Sequence, residues 1–147
     1  MDSRLRVGLL LDSFLLPVWA LAAINRLSCS NHAELALIVL NNFHPKRDPS
    51  KQVNHWLYHV FDSFDRKLFL RCPNASEQVD ASEIFSGIPV LELLPSDENG
   101  KQYFSSSDVK RIESYHLDIL VKIGFGNLGG DILSAATHGE CALFHSL

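Results

Sequence analysis

The sequence predicts an α/β domain in three layers, a mostly parallel sheet of about five strands with helices on both faces, and three observations carry that expectation. Short apolar runs of strand length alternate with longer segments whose apolar residues recur at helical spacing. Most connections between them are short, which favours strand–helix–strand units and therefore parallel pairing. The chain has 147 residues, 46% of them hydrophobic, enough for one sizeable core and too few for two ordinary ones. A single domain over residues 1–147 is expected.

Taken in order, residues 6–11 form the first buried strand, with Asp12 and Ser13 at its carboxyl end. Pro17 is placed to open a helix over residues 17–28, with Leu16, Ala20, Ile24 and Leu27 on one line. Gly8 lies inside the strand, so this strand–helix unit lacks the G-x-G-x-x-G turn of a dinucleotide site. Residues 33–41 are a second strand. A polar loop follows, then a helix over residues 53–70 with Trp56, Leu57, Val60, Phe61, Phe64 and Leu68 on one face. His55 and His59 stand four apart on it, but no third ligand has a telling spacing, so no metal site is assigned.

Residues 71–87 are the loosest stretch, with one helical turn around 82–85. Residues 88–94 form a third strand, and Asp97-Glu98-Asn99-Gly100 a turn. Ser105 with Asp108 three residues later resembles a capping box, opening a helix whose face carries Val109, Ile112 and His116. Residues 118–125 are a fourth strand, apolar except for Lys122. Gly124, Gly126, Gly129 and Gly130 then crowd together, implying positive φ or a backbone that something approaches closely. A short helix follows, with Ile132, Leu133 and Ala136 on its apolar face and Gly139 as its stop. A fifth strand ends on His145. Together these elements make a three-layer Rossmann-like domain. If strand order reverses beside the first strand, Asp12, Ser13, the glycine turn and His145 converge on one crevice.

Bulk properties narrow the partners. The formal net charge is −4 and no basic run exceeds Pro45-Lys46-Arg47, so no nucleic acid is expected. Cys29, Cys72 and Cys141 are sparse and fit no pairing motif, which suits reduced thiols in the cytoplasm. Arg4 and Arg6 followed by an apolar stretch imitate a signal peptide. Asp12 interrupts that stretch and Pro17 suits a helix start, so neither export nor a membrane anchor is assigned. Asn74-Ala75-Ser76 is then a loop and not a glycosylation site.

The stretch GFGNLGGDILSAATHG, followed by a short strand and a histidine, resembles the N-terminal domain of the 10-formyltetrahydrofolate-dependent formyltransferases, the group that includes methionyl-tRNA formyltransferase. The opening RVGLLLDSFLLPVWALAAI is similar to the first strand and helix of one bacterial branch. The resemblance implies transfer of a formyl group from 10-formyltetrahydrofolate to an amine acceptor whose identity it leaves open. It also implies that His145 is the catalytic proton carrier. Asp12, Ser13, Gly124, Phe125, Gly126, Asn127 and Leu128 would line the folate site. The family ends this strand in Asn-x-His and adds a downstream Asp. Here Leu143 stands at the Asn position and no counterpart of the Asp follows, so the chain is expected to bind the donor yet be incomplete for catalysis. A strand left unpaired at the sheet edge would also favour self-association. The alternatives are a non-catalytic interaction module, or a nucleotide- or nucleotide-sugar-binding transferase domain.

Overall fold

The computed structural model describes residues 4–42 and 77–143. Its frame is a five-stranded, all-parallel sheet of β1 (Leu5–Leu11), β3 (Ala33–Asn41), β5 (Val90–Leu93), β8 (Ile119–Ile123) and β10 (Glu140–Ala142), ordered β10-β8-β1-β3-β5. The fold is therefore α/β, with a long central strand whose pairing partners lie far away in sequence. From β1 the chain winds outward through β3 to β5, then returns to β8 on the other side of β1 and moves out to β10. The winding direction reverses between β1 and β8, and in an open parallel sheet that reversal parts the connections above the strands' carboxyl ends.

Period-two alternation divides the core between the two faces of the sheet. Val7, Leu9 and Leu11 pack with Ala20 and Ile24 of helix α1 (Val18–Ser28). Leu10, Leu37, Val39 and Leu120 pack instead with Val109 and Ile112 of helix α2 (Ser106–Glu113). Gly8 has a steric reason inside β1, because a Cβ there would stand 2.6 Å from Leu117 Cδ1. Pro17 occupies the N-cap of α1, and Ser105 caps α2 by accepting from the Asp108 N–H at 3.2 Å.

Several elements differ from expectation. The residues after Gly130 form a single 3-10 turn, Gly130–Ser134, and not an α-helix. Ile132 faces the core while Leu133 is 45% exposed, because a 3-10 turn places residues three apart on one side and so separates this pair. Helix α2 stops at Glu113, and His116, in the left-handed region at φ 50, lies beyond it on the surface. Around Asp97–Gly100 there is a hairpin of β6 (Ser96–Glu98) and β7 (Lys101–Tyr103). Asn99 and Gly100 both take positive φ, the geometry that matches the twist of paired strands. β7 also pairs in parallel with β9 (Asn127–Gly129), so part of the glycine turn is strand. A further small ribbon joins β2 (Leu15–Pro17) to β4 (Gln78–Asp80).

Candidate functional site

The site is assembled from strand ends. Leu11 and Ile123 are paired neighbours on β1 and β8, so Asp12 and Gly124, one residue further on, meet at the reversal point. Their contact is close: a Cβ on Gly124, which has φ +96, would stand 2.9 Å from Asp12 Oδ2. Asn41, the last residue of β3 and only 9% exposed, donates from Nδ2 to Asp12 Oδ1 at 3.0 Å. Partial burial raises the Asp12 pKa above its ordinary 3.8, and the Asn41 amide offsets only part of that. Ser13 has a local task, with its Oγ accepting from the Leu15 N–H at 3.2 Å.

The glycine turn divides into an inner and an outer part. Phe125 and Leu128 are buried in the core, with the Phe125 ring 5.9 Å from that of Phe104. Gly124, Gly126 and Asn127 are exposed and present the turn's outer surface. Two of the glycines answer to an internal neighbour, since a Cβ on Gly129 would stand 2.6 Å from the Tyr103 ring and one on Gly130 3.2 Å from it. Behind the turn, Lys122 Nζ donates to the Gly126 carbonyl at 3.1 Å and pairs with Glu140 on β10 at 3.2 Å. The Gln102 amide packs against Gly126, and its Oε1 is the buried side-chain oxygen without a hydrogen-bond partner among the described residues.

Among the described residues the buried polar side chains are Asn41, Gln102 and Lys122, at 9%, 8% and 6% exposure. All three stand around the Asp12–Gly124 contact or the Gly126 carbonyl. Burying a polar group is unfavourable unless it is matched, so their grouping at the carboxyl ends of the strands marks this region more firmly than the glycines do. Sequence reasoning singled out none of the three for function. Lys122 left one signal, a lone charge within an apolar strand.

Structure therefore brings Asp12 together with Gly124, keeps Gly126 and Asn127 on the same turn, and turns Phe125 and Leu128 inward. His145 lies outside the described residues. So do the expected helix over residues 53–70 with His55 and His59, Pro45-Lys46-Arg47, Cys72 and Asn74-Ala75-Ser76. No described helix is long and apolar enough to cross a membrane. Fold and site together define an α/β domain with a group of polar side chains at the reversal point of a parallel sheet. The chain matches no protein-family model and no curated protein sequence.

A stability measurement reads the cost of keeping Asp12. Because its folded pKa lies above the unfolded value of 3.8, its contribution is complete below 3.8 and is lost as pH rises through the folded pKa. Asp12→Asn removes that loss, and its carbonyl can still accept from Asn41. The variant is expected to gain in urea midpoint over the parent chain at neutral pH, with the gain vanishing below 3.8. An equal offset at both pH values would contradict the raised pKa of this partly covered carboxyl.

Proposed function

We propose that this chain is a formyltransferase-like domain on a three-layer Rossmann-like framework, and that it binds 10-formyltetrahydrofolate, the formyl donor, at the reversal between β1 and β8. One observation carries the reading: the meeting of Asp12 with Gly124, which joins the two sequence stretches that carry the resemblance, the opening strand and the glycine turn. Asp12 offers acceptors, and Gly124 and Gly126 expose main-chain groups where no Cβ keeps a flat ring away.

In the complete reaction an amine attacks the formyl carbon, forming a C–N bond and a tetrahedral oxyanion. The bond from that carbon to the folate N10 then breaks, and the amine's proton passes to N10. His145 is the residue to which the resemblance assigns the proton, since an imidazole is the side chain that most readily takes and gives one near neutral pH. The family's oxyanion donor is missing, because Leu143 stands at that position. Loss of one such donor typically costs about 10²- to 10³-fold in rate. Donor binding without efficient transfer is the expected behaviour.

One observation favours a second reading, that of a non-catalytic interaction module. The Leu143 side chain packs with the apolar cluster on the α1 face, where it serves the core. Titration of the isotope-labelled chain with 5-formyltetrahydrofolate, a stable stand-in for the donor, separates the two. Saturable amide shifts at Asp12, Ser13, Gly124, Gly126 and Asn127 are expected. A spectrum unchanged by the ligand would refute donor binding and leave the module.

A further inference from the structure

Among the described residues the Asp12 carboxylate is oriented by one amide and pairs with no cation. Asn41 Nδ2 holds Oδ1 at 3.0 Å, and Asn41 is itself buried at the end of β3, which sets the carboxylate plane. The other oxygen, Oδ2, faces the glycine turn at Gly124. Among the described residues the ion pairs are Arg6–Glu34, Arg111–Asp108 and Lys122–Glu140, and no cation pairs with Asp12. Asp12 is exposed to solvent, and its carboxylate, held among the described residues by one neutral amide, has acceptor capacity to spare; its two oxygens match a pair of parallel N–H donors.

We infer that Asp12, positioned by Asn41 and packed against Gly124, receives the amidine-type edge of the ligand, a ring N–H beside an exocyclic amino group as in a 2-amino-4-oxopyrimidine ring. The inference rests on the folate reading for its ligand and adds the residue that determines specificity. No proton or group is transferred in this step; two hydrogen bonds form. The exposed Gly126 and Asn127 continue the same turn beyond Gly124 and carry no side chain or a short one towards solvent. A protonated alkylamine would also complement a carboxylate, but a point charge gains nothing from an oriented plane, whereas a planar donor pair does. Asn41 therefore favours the amidine edge.

The test uses the full chain and four probes: 5-formyltetrahydrofolate, 2-aminopyrimidin-4-one, pyrimidin-4-one without the amino group, and butylammonium. Affinities are measured for the parent chain and Asp12→Asn, with the amide spectrum confirming that the variant is folded. Asparagine at this position sets a donor against a donor, so 5-formyltetrahydrofolate and 2-aminopyrimidin-4-one are expected to weaken about 10- to 100-fold. Pyrimidin-4-one should bind the parent chain more weakly than its amino counterpart. If both chains bind 5-formyltetrahydrofolate equally, the inference fails while the folate reading stands. If the parent chain binds only 2-aminopyrimidin-4-one, and does so through Asp12, the inference stands and the folate reading fails. Tighter Asp12-dependent binding of butylammonium than of 2-aminopyrimidin-4-one, or binding of no probe, overturns the inference.

Discussion

Lys122→Met is expected to destabilise the protein by about 3–5 kcal/mol, the usual cost of removing one partner from a buried ion pair. The Lys122 and Glu140 side chains are 7% and 14% exposed, so the variant leaves a carboxylate in an apolar setting with the Gly126 carbonyl freed beside it. The double variant Lys122→Met, Glu140→Leu is expected to recover most of that loss, because apolar side chains of similar volume fill the space without a desolvated charge. Urea unfolding of the single and double variants measures both effects. A single variant within about 1 kcal/mol of the parent, the level of an exposed pair, would mean the pair is solvated in solution. The same single variant is expected to shift the amide resonances of Gly126 and Asn127, since Lys122 ties the turn to β8 through the Gly126 carbonyl.

Ile132→Ala is expected to cost about 2–5 kcal/mol, and Leu133→Ala at most about 0.5 kcal/mol. Ile132 is 1% exposed within the α2-face core, whereas its neighbour Leu133 projects to the surface. The contrast tests the 3-10 geometry of Gly130–Ser134 directly, because an α-helix with Ile132, Leu133 and Ala136 on one face would make both substitutions costly. Denaturation midpoints of the two variants decide it, and equal losses would return the segment to an α-helix.

Much of the frame was legible. The run Ala33–Asn41 has the composition of a buried strand and is one to the residue, and Ser105 with Asp108 marks the start of α2. The Asn99-Gly100 pair marked a turn, yet the strands flanking it have three residues each, too short for any periodicity to show. Of the site, Asp12 was legible as a strand end and Gly124 as the first of four crowded glycines, but the strand expected to run to residue 125 stops at Ile123, which frees Gly124 for the turn. Asn41 was not, because an asparagine closing a strand looks the same whether it meets solvent or a carboxylate. Lys122 looked like an interruption because its partner, Glu140, lies on a strand that neighbours it only in the folded sheet.

The sequence alone determined the number of main strands, a helix within residues 17–28, the start of α2 at its Ser105 cap though not its end, and the polar residues at strand ends. Each of these depends on local backbone preference or on periodicity within a few residues. Tertiary structure alone decided the order β10-β8-β1-β3-β5, and with it the meeting of Asp12 and Gly124 across 112 residues of chain. It also decided that Gly129 and Gly130 serve Tyr103, and that Lys122 is paired. The physical reason is common to all of these: a local pattern encodes which face of an element is apolar, while strand order and charge pairing depend on which distant faces can be buried together.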